Sequence, residues 1–318
     1  MLELVDELVL SSLGGRVVGR APLEGGAVGR VFVVEREGEG PRKVCVKLVE
    51  DRPSPAFVDE PAEERVYGSR PENYDEARAL LAAVVAVPGL YSTGVAVDRS
   101  GVRWRYWVME QLQGSARLDG GGASARDAEH LHGLVGETLA RIHQVEREWP
   151  GWIALPHTIR WQWGPAVFEA LRHAISHAGD NGALPASSRA QLLAVAEQHQ
   201  SRWVDPASFS LSHPDGLQGI FEHDGAQWRI RGVVDIEDHF FLDPRLALAG
   251  IELQAHLAGV ELPSAFRAGY TSIRPWPEGF DDARPVYQML FLCTWSRVCR
   301  ASHLAELALE IGRREAAR

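Results

Sequence analysis

Residues Leu211 to Pro244 read LSHPDGLQGIFEHDGAQWRIRGVVDIEDHFFLDP and constrain the chain more than any other stretch. Two apolar runs, Ser210-Leu211-Ser212 and Ile230 to Val234, each deliver a buried-type strand into an aspartate, Asp215 shortly after the first and Asp235 immediately after the second. Between them Glu222-His223-Asp224-Gly225-Ala226-Gln227 has the polar, glycine-containing character of a hairpin turn. An antiparallel pair is therefore expected to bring the two aspartates side by side. Two carboxylates at strand ends suit phosphoryl transfer, in which one orients and deprotonates an attacking hydroxyl and the other holds a magnesium ion against nucleotide phosphates.

These residues resemble the aminoglycoside phosphotransferase and choline kinase branch of the protein-kinase-like fold. The catalytic loop of that family, similar to His-Gly-Asp-Leu-His-x-Gly-Asn, is matched by His213-Pro214-Asp215-Gly216-Leu217-Gln218-Gly219-Ile220. Its metal loop is matched more closely, by Val234-Asp235-Ile236-Glu237-Asp238 and Leu242-Asp243-Pro244. Pro214, Gly216 and Ala247 stand where the family usually has Gly, Leu and Asp, and Ile220 replaces an asparagine that binds a second magnesium in kinase-like sites. If a second metal is used, Glu237 or Gln218 is expected to supply what Ile220 cannot.

Ahead of this stretch, Leu4 to Leu13 has helical spacing, and Arg16 to Leu23 and Arg30 to Glu35 flank the turn Glu24-Gly25-Gly26-Ala27-Val28-Gly29. Glycines let a backbone fold closely over phosphates, although an ordinary hairpin needs them as well. Lys47, in the strand Lys43 to Val49, occupies the position of the kinase lysine that contacts α and β phosphates; a solvent-facing lysine on an edge strand is the plainer alternative. Glu76 opens an Ala- and Leu-rich helix at a distance suited to pairing with Lys47. The segment from Asp51 to Asn73 is rich in Pro and charge and reads as a long exposed loop able to cover the site. Strands are expected over 92–97 and 104–109. By the resemblance Glu110, Gln111 and Leu112 form the linker whose backbone meets the nucleotide base.

Beyond Asp119-Gly120-Gly121-Gly122 helical patterns dominate, beginning with Ser124 to Val145, in which His143 reads as structural rather than catalytic. Trp149, Trp152, Trp161 and Trp163 either line a pocket or cover a core.

The resemblance implies an α+β, bilobal protein-kinase-like fold: a small antiparallel β-sheet lobe that binds ATP or GTP with Mg2+ over residues 1–113, and a larger helical lobe with the catalytic and metal loops over 114–318. It implies a small-molecule kinase that moves the γ-phosphate to a hydroxyl; relatives of this kind phosphorylate aminoglycosides, macrolides, choline and sugars. Asp215 and His213 are the catalytic candidates, Gly25, Gly26 and Lys47 hold the phosphates with Glu76 orienting Lys47, and Asp235, Glu237 and Gln218 are the metal candidates. The alternative is a kinase-like protein that binds a nucleotide or partner without transfer, suggested by Ile220, Pro214 and Gly216. A two-carboxylate hydrolase would leave Lys47 and the glycine turn unexplained. A protein kinase would need Asp-Phe-Gly where Asp235-Ile236-Glu237 stands.

The 318 residues suffice for two lobes, and the net charge of −10 opposes general nucleic-acid binding while suiting a cationic acceptor. The three cysteines lack metal-ligand spacing, and Met1 to Glu7 has no basic, signal-like start. The cysteines suit a reducing, cytoplasmic setting, and with no apolar run of about 18 residues no membrane partner is expected.

Overall fold

The computed structural model describes residues 1–23, 29–51, 66, 71–114, 125–153, 161–180, 184–259, 261–298 and 302–316. The expected Gly25-Gly26 phosphate turn and nearly all of the charged segment from Asp51 to Asn73 lie outside the described residues.

The N-terminal part is a five-stranded antiparallel sheet of order β1-β2-β3-β5-β4, made of β1 (Arg16–Leu23), β2 (Arg30–Glu37), β3 (Lys43–Glu50), β4 (Leu90–Val97) and β5 (Arg103–Glu110). Its strands obey the two-residue period of a sheet with one face covered: Phe32 and Val34 in β2 and Val44, Val46 and Leu48 in β3 are buried. Helix α1 (Leu2–Leu13) covers that face with Leu4, Val5, Leu8 and Val9, which join these strand residues, Trp104 and Val108 in one apolar core. Because Val46 and Leu48 point to α1, Lys47 between them must point to the other face. β3 is hydrogen-bonded on both sides, to β2 and β5, which removes the edge-strand reading of Lys47.

Helix α2 (Tyr74–Ala82) follows a short 3-10 turn (Pro71–Asn73) and buries Tyr74, Ala77 and Leu81. These residues, with Val49 and Trp107, belong to the larger core of the helical part rather than to the core under α1. That second core is built on α3 (Ala125–His143), α4 (Trp163–Asp180), α5 (Ala186–Gln200), α6 (Pro244–Leu257), α7 (Ser264–Ile273), α8 (Phe280–Val298) and α9 (Ser302–Ala316). Helices α3 and α7 cross at backbone contact: a methyl group on Gly269 would lie 2.1 Å from the Gly133 carbonyl oxygen, so only glycine fits.

Three short pairings carry the loops of interest. β6 (Glu146–Arg147), β7 (Phe209–Ser212) and β10 (Phe240–Leu242) form an antiparallel sheet of order β10-β7-β6, and β8 (Gly219–His223) pairs with β9 (Trp228–Val233). The expected hairpin at Glu222–Gln227 exists, but it joins β8 to β9. The strand before Asp215 pairs with β10 instead of with the strand before Asp235. Separate antiparallel pairings replace the single pair read from the sequence, because β8 lies between Asp215 and the hairpin turn and is the strand that the turn joins to β9. Among the described residues no helix is long and apolar enough to cross a membrane.

Candidate active site

The site begins with the face of β3 that α1 leaves uncovered. There the Lys47 ammonium reaches 188 residues along the chain to Asp235, with Nζ 2.7 Å from Oδ1, and lies 2.5 Å from Glu237 Oε1. Burial works against its charge, yet Glu237, Asp235 and Asp238 outweigh burial and hold the lysine above its ordinary value. Burial likewise pushes the Glu237 carboxyl up, with Lys47 opposing. For Asp235, which is only partly buried, Lys47 and His213 outweigh the desolvation, and its carboxyl falls below the usual range.

Asp235 follows β9 directly and turns the chain sharply, with φ 51° and ψ 48°. It is the one described non-glycine residue in the left-handed region, where aspartate is better tolerated than most residues. The turn leads into a 3-10 segment (Ile236–Asp238) that buries Ile236 and Glu237.

Asp215 lies on a tight loop after β7. The Asp215 N–H donates to His213 Nδ1 at 3.0 Å, and the Gly216 N–H donates to the His213 carbonyl at 2.9 Å. Gly216 has φ +89°, and a Cβ there would come within 2.4 Å of Ile251 on α6, so the leucine usual in the family has no room. The Gln254 side chain, also from α6, donates to the Asp215 carbonyl at 2.8 Å. His213 is buried, and burial lowers its affinity for a proton, against the pull of Asp215, Asp235 and Glu237. The two loops are tied together where the Val234 N–H donates to the Gln218 carbonyl at 2.8 Å. His239 adds a hydrogen bond from Nδ1 to the Asp235 carbonyl at 3.2 Å, and burial, reinforced by His213, lowers it to about 3.

Lys47, Asp235, Glu237, His213, Asp215 and Gln218 are thus brought to one place; Glu76 is not. Tyr74 faces inward, and Glu76, two positions on and about 200° round the helix axis, is exposed on the outer side. The expected Lys47–Glu76 pair is replaced by Lys47–Glu237. At the linker, the Glu110 N–H is taken by the Gly89 carbonyl at 2.7 Å and its carboxylate accepts the Gly89 N–H at 3.1 Å. The carboxamide oxygen of Gln111 is buried without a hydrogen bond, and Leu112 packs toward Gly232. Ile220 sits in β8 opposite Gly232, with its side chain against Gly114.

A sequence profile of the phosphotransferase enzyme family (APH) matches residues 20–250, most of the chain. The chain belongs to that family. Among solved structures, a candidate fructosamine-3-kinase from Thermobifida fusca superposes with a TM-score of 0.66 at 17% identity, over 99% of each chain. A thermostable mutant of the aminoglycoside phosphotransferase APH(4)-Ia, in a ternary complex with ADP and hygromycin B, gives 0.63 at 15% identity over 98% of this chain and 97% of that one. A candidate aminoglycoside phosphotransferase from Ralstonia eutropha gives 0.63 at 13% identity over 100% and 98%. At these identities the likeness establishes the bilobal kinase-like fold. No curated protein shows a significant match.

Within this phosphotransferase-family chain, the Asp-Pro pair after β10 has a structural role. Asp243 caps α6 by accepting the Arg245 N–H at 2.9 Å, takes the Arg245 guanidinium at 2.6 to 2.9 Å, and accepts the Tyr287 hydroxyl at 2.6 Å. Trp163 Nε1–H donates to the same Tyr287 oxygen at 2.8 Å, so Trp163 is core. Tyr287 and Arg245 escaped the sequence reading; the Asp-Pro pair signals a cap, but nothing local signals a tyrosine from α8. Trp149 and Trp152 lie in a loop whose carbonyls are gathered by the Arg147 guanidinium, and Trp161 packs on Trp163 with ring centres 5.6 Å apart. His143 is buried between Tyr270 Oη at 2.9 Å and Ser212 Oγ at 2.8 Å, the structural placement expected of it.

The donors suit a hard divalent cation unevenly. Asp235 has one oxygen on Lys47 and a side chain 43% accessible, which suits a magnesium held by one or two carboxylates with phosphates and water. Glu237 is 2% accessible and directed at Lys47. Among the described residues no three His, Cys, Asp or Glu side chains converge as a metal cage.

Proposed function

We propose that the chain is a nucleotide-dependent O-phosphotransferase that moves the γ-phosphate of ATP or GTP to a hydroxyl of a small molecule. The observation that carries this reading is the Lys47–Asp235 contact of 2.7 Å, which spans the sheet and the helical part with the Asp215 loop fastened beside it. In this reading Lys47 engages the α and β phosphates, with Gly25 and Gly26 over them and Glu110 to Leu112 at the base. Asp235, with Gln218 nearby, holds Mg2+, which when bound neutralises charge on the phosphates. Asp215 orients the acceptor hydroxyl and takes its proton. His213 fixes the loop by accepting the Asp215 N–H, which needs the imidazole unprotonated at Nδ1, the form that burial favours. Positioning and electrostatics supply most of the acceleration, because phosphoryl transfer leaves little covalent work to the protein.

The excess of 43 acidic over 33 basic residues supports a cationic acceptor such as an aminosugar. Tightest binding of a neutral or apolar acceptor would reject that part. Thermal unfolding with ATP and with GTP, each with and without magnesium, tests the whole. A ligand at about a hundred times its dissociation constant adds roughly 2.7 kcal/mol, a rise of several degrees. A magnesium-dependent rise, followed by transfer that Asp215→Asn abolishes, supports the proposal. Binding without transfer to any hydroxylated acceptor favours the second reading, a nucleotide-binding protein, to which Ile220 in the second-metal position points.

A further inference from the structure

We infer that, among the described residues, Glu237 is the positioning residue for Lys47, in the role that the sequence offered to Glu76. Its catalytic consequence rests on the transfer reading above; the pairing itself does not.

The two carboxylates on Lys47 belong to one segment but to different environments. Asp235 is 43% accessible and can exchange the lysine for a cation or phosphate-bound water, whereas Glu237 is 2% accessible. Glu237 Oε1 takes the ammonium at 2.5 Å, and Glu237 Oε2 is buried without a hydrogen bond, so the lysine is its direct polar partner. A buried carboxylate in that state is strongly disfavoured without its cation, and the converse holds for the lysine.

The surroundings fix this arrangement. Ile236 is buried and anchors the 3-10 turn, which packs against α2 and the turn before it. Tyr74 closes the wall, its ring 5.0 Å from that of Trp107, and Trp107 is the β5 residue paired with Lys47. For Glu76 to reach the lysine, α2 would have to rotate by about half a turn. That rotation would expose Tyr74, Ala77 and Leu81, all now buried. One Asp-x-Glu segment therefore supplies both the exchangeable ligand and the permanent anchor of the lysine.

The test compares Glu237→Gln, Glu237→Asp and Glu76→Gln in the full chain by lysine-selective NMR, Mg-ADP titration and, where transfer is found, steady-state kinetics. Held by a sealed carboxylate, the Lys47 ammonium is expected to give a slowly exchanging proton signal, identified by its loss in Lys47→Met. Glu237→Gln should lose the signal and weaken Mg-ADP binding roughly tenfold or more, while Glu76→Gln keeps the signal and changes affinity less than about twofold. Glu237→Asp retains the charge and guards against a folding failure; it should keep a weakened signal and lower kcat more than it raises KM. Loss of the signal in Glu76→Gln, or its persistence in Glu237→Gln, overturns the inference. If the parent neither binds Mg-ADP nor transfers phosphate, the proposed function falls, and the NMR comparison alone still decides the anchor.

Discussion

Replacing Asp243 by alanine should be among the most damaging single changes outside the catalytic loops. Asp243 has no accessible surface, Arg245 is 5% accessible, and the pair shares three side-chain hydrogen bonds of 2.6 to 2.9 Å. Alanine leaves the Arg245 guanidinium buried with, among the described residues, one remaining hydrogen bond, to the Val204 carbonyl at 2.9 Å. Breaking one half of a buried ion pair costs about 3–5 kcal/mol. The lost helix cap and the lost Tyr287 hydrogen bond are each worth about 1 kcal/mol, but they overlap with the first term and are not added to it. At roughly 2–4 °C per kcal/mol, the scale for chains of 150–250 residues, the melting temperature should fall by about 6–20 °C. Differential scanning fluorimetry measures this directly. Asp243→Asn, which keeps the cap acceptor and loses the charge, should fall between parent and alanine. A loss under about 2 °C for alanine would refute the claim that this network supports α6 and α8.

Gly269→Ala should separate α3 from α7 and lower stability by about 1–3 kcal/mol, read by urea denaturation, because the new methyl would press on the Gly133 backbone. His143 is held well below its ordinary value, by burial first and then by Arg274, so it stays neutral in the native state. As pH falls below about 6.5 the unfolded chain takes up a proton there that the native chain does not, and stability drops by about 1.4 kcal/mol per pH unit from this group. In His143→Gln the slope of stability against pH between about 6.5 and 4.5 should therefore lose about one proton, and an unchanged slope would contradict the buried neutral state. Burial pushes the Cys45 thiol up to about 11, so alkylation at pH 8, followed by mass spectrometry, should be slower than for a free thiol by about two orders of magnitude.

Much of the architecture was legible because its signals are local. The two-residue alternation of β2 and β3, the helical spacing of α1 ending at Gly14, and the apolar runs that end in Asp215 and Asp235 each need only neighbours in sequence to be read. Alternation also set Lys47 on the face opposite to Val46 and Leu48. The hairpin turn at Glu222–Gln227 was equally plain, but a turn names only the strands it joins.

The sequence by itself determined which residue types arrive at the site and on which elements. Tertiary structure alone decided their partners: β7 against β10, Gly216 against Ile251, Asp243 against Tyr287, and Glu237 rather than Glu76 against Lys47. The physical reason is the burial of Tyr74, Ala77 and Leu81, which fixes the rotation of α2 and turns Glu76 outward. Spacing brings a carboxylate within range of a lysine, and the packing of the whole helix then selects the one it meets.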